Sequence, residues 1–474
     1  MTHRRRPVAD TGSAMLGNQG YRHGVAAELV DAGHIKTGAS WRSASSRWSV
    51  VLVAGTLSTF SHSAHAQISS LIAPAYDPVF DRDRNQSVTE RPRPGYDALG
   101  IRLGSMVANL GMSVRGEYSS NVYTDNTNKI ADASLNISPL AAIESNWANH
   151  SVRLSATGNF RRYATQTLAN QNAWSLSART RVDVTRDLEI FVNGQVERQV
   201  ESPFSDDLVA NLTVPSRFMH KALAANIVYV RGRSRITLTA DVNDYQFKDI
   251  LFATGNVRSQ KNRDRTTYRT AAIYEYAVSP SLSAYGQILL DRHDYKAPLD
   301  IGRPNRDSTG WVLQGGANFD LAGLARGSIG VGYSRRNFTA TQFYTSASGI
   351  SVQSKVEFFL SQLTTFGMTA QRQLQDNSLG DGAAQWDMRG RLFADHELLR
   401  NMIVSASVEV GSRKYINFDS QTDFVDAGLS AQYQATRNLA LNAAVHYGSS
   451  TPKGIALSRP FDQFRVSGGV SLRI

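Results

Sequence analysis

The chain contains no cysteine. That excludes disulfide frameworks, thiolate metal sites, cysteine nucleophiles and lipid attachment through an N-terminal cysteine. It also lacks any apolar run approaching the ~20 residues a membrane-spanning helix needs, and its mean hydropathy is −0.31. A helical membrane protein is therefore excluded. A transmembrane β-barrel is not, because half of each strand faces water and keeps the average hydropathy low. Clustered charge is missing too. The net charge is +11, but the basic residues are scattered, and the first 66 residues alone hold seven Lys/Arg against three Asp/Glu. With no basic helix and no aromatic–basic motif, the charge does not indicate nucleic acid. What the chain does have is 36 Gly, 18 Tyr and 19 Phe, a composition suited to strands, tight turns and interfacial aromatics.

The N-terminal region reads as a targeting segment. Arg42 and Arg47 precede a short apolar core from Trp48 to Leu57, followed by Ser63-Ala64-His65-Ala66-Gln67. A positive flank, a core too short to span and an Ala-x-Ala site predict a secretory signal cleaved between Ala66 and Gln67. The signal, residues 1–66, carries a long N-terminal extension, and Met15 is an alternative start. Export leads to an oxidising compartment, where absence of cysteine avoids misbridging. Residues 67–98 mix charge and proline without periodicity, as in Asp81-Arg82-Asp83-Arg84 and Glu90-Arg91-Pro92-Arg93-Pro94. They read as a flexible periplasmic segment, with partner binding as the alternative.

From residue 99 onward the chain alternates. Ile236, Leu238, Ala240 and Val242 interleave with Arg235, Thr237, Thr239 and Asp241; Trp386, Met388, Gly390, Leu392 and Ala394 interleave with Asp387, Arg389, Arg391 and Asp395. Such stretches exceed the ~5–6 residues of an ordinary soluble strand and match a tilted transmembrane one. Short connections are expected at Thr185–Asp187, Arg231–Arg233, Ser279–Ser281, Leu321–Leu324, Asp395–Leu399 and Ala435–Asn438. Longer polar loops are expected at Asn121–Lys129, Glu201–Ser216, Gln246–Arg265, His293–Asp307, Asn337–Gly349 and Ser449–Arg459. Alternating short turns and long loops are what an outer-membrane barrel shows. The rival, a soluble propeller, would show blade repeats with a fixed signature. The expected fold is all-β: a transmembrane antiparallel barrel of about 16–18 strands over 99–474, with short periplasmic turns and longer extracellular loops.

The C-terminal stretch Phe461–Ile474 alternates to its last residue, so its outer edge needs a partner, and in a closed barrel the partner is the first strand. Ser467, Gly469, Leu472 and Ile474 follow a spacing that resembles the C-terminal recognition signal of outer-membrane barrels, with Ile474 in place of the usual aromatic. That resemblance implies the barrel-assembly machinery as a partner, beside outer-membrane lipid.

Several stretches, taken in order, resemble one family. They are Gly100–Met106, Glu117–Tyr123, Ile143–His150, Arg306–Trp311, Gly315–Asp320 and Gly330–Tyr333. Their order and spacing resemble the putative type-two β-barrel porin family, exported proteins of the Gram-negative outer membrane often encoded near exopolysaccharide or capsule genes. The likeness runs from about residue 99 to the C-terminus. It implies a pore or a polysaccharide-associated barrel and supplies no functional residues.

A hydrolase would need a nucleophile beside a base. The histidines beyond the leader, His150, His220, His293, His396 and His446, are spread over turns, loops and one lumen position, and His150-Ser151 falls at a periplasmic turn. No enzyme, cofactor or metal site is expected. Alternation turns Arg153, Arg161, Arg179, Arg181, Arg235, Arg269, Arg389, Arg391 and Arg413 toward the lumen, opposite acids including Asp183, Glu189, Glu197, Asp241, Glu275, Asp387 and Glu409. Either rings of arginine favour anionic solutes or acidic sugars, or the charges pair across strands and fill the lumen. Tyr118, Tyr123, Tyr268, Tyr276, Trp311, Tyr333, Trp386 and Phe464 are candidates for interfacial girdles. The expected function is a passive pore for small solutes or an export channel linked to surface polysaccharide; the alternative is a non-conducting structural barrel whose loops bind polysaccharide or envelope partners, and the third reading is an outer-membrane hydrolase.

Overall fold

Period-two alternation places one set of side chains on each face of a strand, and here it persists from strand to strand until the sheet meets itself. The structure is a computed structural model that describes residues 85–202, 204, 214–252, 255–298, 302–377, 384–416, 418–455 and 459–474. The signal cleavage residues Ala64, Ala66 and Gln67 lie outside them. The barrel has 18 strands. In chain order they are β1 (Met106–Ser119), β2 (Asp132–Ser145), β3 (Ser151–Tyr163), β4 (Gln171–Asp183), β5 (Leu188–Val200), β6 (Arg217–Arg231), β7 (Ser234–Phe247), β8 (Arg265–Ser279), β9 (Leu282–Tyr295), β10 (Ser308–Leu321), β11 (Ala325–Phe338), β12 (Ala347–Ser361), β13 (Thr364–Asp376), β14 (Ala384–Leu399), β15 (Met402–Tyr415), β16 (Ser420–Gln434), β17 (Leu439–Gly454) and β18 (Phe461–Arg473).

Each strand pairs antiparallel with the next, and β18 closes on β1, with Gly111 opposite Arg473 and Ser119 opposite Arg465. Beyond the ladder, the Ile474 N–H donates to the Leu110 carbonyl at 2.9 Å and the Leu110 N–H to that of Ile474 at 3.2 Å. The outer edge of the last strand is thus paired by the first, and closure leaves no edge. At this seam the inward Gly469 allows close approach of backbone: a Cβ there would lie 2.4 Å from the Val114 carbonyl oxygen.

The two faces differ sharply. On β1, Leu110, Met112, Val114 and Tyr118 point outward and are exposed, while Ser113, Glu117 and Ser119 point inward and are buried. On β18, Val466, Val470 and Leu472 point outward opposite inward Gln463 and Ser471. An apolar exterior around a polar interior is the inverse of a soluble protein and fits a bilayer. Tyr118, Tyr268, Tyr276, Tyr333 and Phe464 are exposed on the outward face, where amphipathic rings suit the interfaces. Two girdle candidates are placed otherwise. Trp386 is buried beneath Arg372, whose guanidinium carbon lies 3.9 Å from the ring centroid, and Tyr123 sits in the β1–β2 loop with its hydroxyl on Gln166 at 3.1 Å.

The termini of the barrel share one end with the short turns. Gly232, at φ +61, makes the tight turn between β6 and β7, a backbone conformation that glycine adopts without strain. One expected turn is displaced. Asp395–Leu399 continues β14, and Asp395 accepts a hydrogen bond from Ser405 on β15 at 2.5 Å. Polar residues facing the lumen looked like turn residues. A further short turn joins β12 to β13 between Ser361 and Thr364. At the other end, the expected loop beginning at His293 starts later, because β9 runs on to Tyr295.

The segment read as flexible is held over its described part, residues 85–98. Asn85 donates to Asp320 at 2.5 Å, the Val88 N–H to Thr365 Oγ1 at 3.0 Å, Arg93 to Glu397 at 2.9 Å and Arg326 to Glu90 at 2.5 Å. Arg437 reaches the Pro94 carbonyl at 2.9 Å and Arg473 that of Tyr96 at 3.3 Å. The segment therefore runs along the turn-end mouth from β10 to β18, with Val88 fully buried.

Candidate functional site

The barrel interior is built by alternation, so its chemistry follows from which inward residues fall opposite one another. All nine arginines singled out from the sequence lie on inward positions of their strands. Most are paired. Arg153 bonds Glu144 at 2.8 Å, Arg161 lies 3.3 Å from Glu117, Arg181 3.0 Å from Asp183 and Arg269 3.0 Å from Asp241. Asp387 takes both Arg389 at 2.6 Å and Arg413 at 3.3 Å, and Arg389 also approaches Glu409 at 3.6 Å. Arg235 and Arg391 have partners as well. Arg179 differs: its hydrogen bond goes to the neutral Asn193 at 3.1 Å, and the residue opposite it on β3 is Arg153. Cross-strand pairing, more than a ring of free cations, describes this lumen.

At the loop-end mouth, described loop residues are tied to one another. Arg263, in the β7–β8 loop, bonds Glu201 at the start of the β5–β6 loop at 2.9 Å and lies over the Phe247 ring at 3.9 Å. Arg306, in the β9–β10 loop, donates to the Asn262 carbonyl at 2.8 Å and to the Asn377 carbonyl beyond β13. Arg263 and Arg306 are both buried. A guanidinium can do this because its planar fork satisfies several acceptors at once. From the β5–β6 loop, Phe204 reaches across the lumen. Its ring packs 5.3 Å from Phe461 and 6.0 Å from Phe424, and its carbonyl accepts from Arg413 at 2.6 Å. Gly448 makes room: a Cβ there would meet the Phe204 ring at 2.6 Å.

The histidines are placed differently from the expectation of a single lumen position. His220, His293 and His446 all point inward. His293 Nδ1 meets Asp376 at 2.5 Å and its Nε2 lies 3.2 Å from Asp291, with Tyr295 donating to Asp376 at 2.7 Å. Arg336 bonds Asp291 at 2.8 Å and also holds Asp376. His220 lies between Glu197 at 2.8 Å and Asn243 at 3.1 Å, stacked on Tyr245 at 4.4 Å. With both ring nitrogens engaged, neither ring offers a vacant nitrogen to take a proton from a nucleophile. His150 closes a turn: its N–H donates to Asp183 at 2.9 Å and its Nδ1 accepts from the Asp183 N–H at 3.1 Å.

The Asp291–His293–Arg336–Asp376 cluster is not visible in a sequence reading that starts the loop at His293, because the strand runs on to Tyr295. The signal was there: Ile288, Leu290 and Arg292 continue one face, and Asp291, His293 and Tyr295 the other. Nor are Phe204, Arg263, Arg306 and Arg326 visible, whose partners lie far along the chain and leave no local pattern.

A closed antiparallel barrel with tall strands, an apolar outer belt and a charged lumen is a transmembrane barrel of the porin type. The chain belongs to the family described as Putative beta-barrel porin 2, whose model matches residues 93–473. The outer membrane is the location this indicates. No curated protein matches the chain. Among solved structures it is similar to the outer membrane protein opdK from Pseudomonas aeruginosa, with 14% identity, a TM-score of 0.42 and coverage of 77% of this chain and 99% of that one. It is also similar to a BenF-like porin from Pseudomonas fluorescens Pf-5, at 12% identity and TM-score 0.42, covering 77% and 99%. A third is the siderophore receptor PirA from Acinetobacter baumannii, at 8% identity and TM-score 0.43, covering 77% and 80%.

Proposed function

We propose that the chain forms a passive outer-membrane pore for small hydrophilic solutes, narrowed at both mouths by its own segments. The observation that carries this reading is the inward face itself, lined with paired charges and polar side chains from end to end of the barrel. A barrel of this strand number is wide enough to hold water, and paired charges give a hydrated wall with weak preference for either sign. Anion selectivity from rings of free arginine is not favoured, since most of those arginines have carboxylate partners.

Export of surface polysaccharide is the finer reading. The arginine ties across the loop-end mouth and Phe204 stand in the way of a polymer, so this reading requires a form with those loops released. The second reading, a non-conducting barrel, is favoured by the same contacts together with the buried Val88 at the other mouth. Single-channel recording separates them. A pore gives stepwise conductance from the intact chain. A scaffold is silent even after Phe204 and the N-terminal segment are removed.

A further inference from the structure

The outward face of β3 to β6 is apolar over most of its height, but near the loop end it carries Arg162, Arg198, Arg217 and Lys221. Three of these converge. Arg198 on β5 lies opposite Met219 on β6, and the next outward residues on either side of Met219 are Arg217 and Lys221. Diagonal neighbours of this kind are ~7–8 Å apart. On the other side of Arg198 the opposing residue is Trp174 of β4, an indole at the height where interfacial rings sit. None of the three cations has an ion-pair or hydrogen-bond partner among the described residues. Asp244, opposite Lys221, is bonded instead to Lys296, to Thr266 at 3.1 Å and to Gln246 at 2.7 Å.

Below this cluster the same outward face is hollowed. Ala141, Ala156, Ala178 and Gly194 floor a groove of about 810 Å³ with Leu154 and Leu176 in its walls, and the groove runs up to Lys221 and Asp244, the carboxylate already held by Lys296. Small residues in consecutive strands leave a depression wherever their neighbours carry leucine. A cationic cluster joined to an apolar channel on a membrane-facing wall matches a molecule with a phosphate at one end and hydrocarbon at the other.

We propose that this is a binding site for a phosphorylated lipid of the membrane leaflet at the loop end, with an acyl chain in the groove and a phosphate among Arg198, Arg217 and Lys221. The site rests on the membrane-spanning reading of the outward face and not on conduction through the lumen. A second copy of the chain fits less well, because a two-fold contact would bring the same cations against each other.

Native mass spectrometry of the full refolded barrel in detergent tests this, with lipid A as the bisphosphorylated acylated probe, its dephosphorylated form and inorganic phosphate. The expected result is retention of the phosphorylated lipid by the wild-type barrel. About tenfold weaker retention is expected for the variant carrying Arg198→Gln, Arg217→Gln and Lys221→Gln, and for the dephosphorylated lipid on wild type. Lys414→Gln, on β15, leaves retention unchanged. Heat-modifiable gel mobility reports folding, and Arg198→Gln alone serves if the triple variant does not fold. Equal retention by wild type and variant, equal retention of both lipids, binding of inorganic phosphate alone, or a wild-type dimer in place of the lipid adduct would overturn the proposal. Conductance recorded on the same samples is expected to be unchanged by the triple variant, so a failed lipid site leaves the pore reading standing.

Discussion

Gly448 and Phe204 show how a single position sets the free cross-section of the lumen. The phenyl ring lies where a side chain at 448 would be, between Phe424 and Phe461. Phe204→Ala removes the ring, and Gly448→Leu displaces it; both are expected to raise single-channel conductance while the barrel keeps its thermal stability, since the contacts join a loop to an already closed sheet. Unchanged conductance in both would show that Phe204 does not narrow the pore. Arg153 and Arg179 face each other across β3 and β4, but only Arg153 has a carboxylate. Arg153→Gln removes the partner of the half-buried Glu144 and should lower stability in urea by about 1 kcal/mol or less. Arg179→Gln removes a like-charge neighbour and should be neutral or stabilising. The inward side of all nine arginines was legible because alternation has a period of two. Their partners were only partly legible, because pairing depends on register between strands, which turn lengths set and no single strand reveals. Phe204 was illegible, since a loop residue that crosses the lumen carries no period.

At the scale of the element, each strand is asymmetric in depth as well as in face. Leu223 lies mid-strand on the outward side of β6, and Tyr229 lies near the turn end of the same face. Leu223→Arg should destabilise the barrel in a bilayer by about 2–4 kcal/mol and Tyr229→Arg by about 0–1 kcal/mol, measured by reversible unfolding into denaturant. Equal costs would contradict a membrane-spanning β6. The N-terminal segment is an element of another kind, held by side-chain ties in place of a ladder. Burial pushes the Glu90 carboxyl up, but the charge and hydrogen bond of Arg326 and the Ser87 N–H outweigh it and hold the group below its ordinary value of 4.5. A depressed carboxyl contributes stability that is present above its unfolded pKa and lost as pH falls through the folded one. Acidification to below the ordinary glutamate range should therefore loosen residues 85–98, seen as faster proteolysis of the segment with the barrel intact. Glu90→Gln should be released already at neutral pH. The sequence reading missed this packing because Pro92 and Pro94 and the mixed charges carry no strand or helix period. The same reasoning explains the displaced turn at Asp395–Leu399, where lumen-facing polar residues resembled turn chemistry.

For the whole molecule, the fold class, the strand number and the closure of the last strand on the first were legible, because a barrel repeats one pattern and any strand reports on the rest. The function is set by what fills the lumen, which depends on long-range contacts at the two mouths. In the proposed pore a water-filled passage with a nearly charge-balanced wall runs through the barrel, narrowed by Phe204 at one end and by residues 85–98 at the other. Single-channel recording of the refolded chain from Gln67 in a salt gradient tests it most directly, alongside the Phe204→Ala variant. Stepwise openings with a reversal potential close to zero are expected, with larger steps in the variant. A folded barrel that stays silent in both, even in acid, would contradict the proposed pore and leave a closed scaffold.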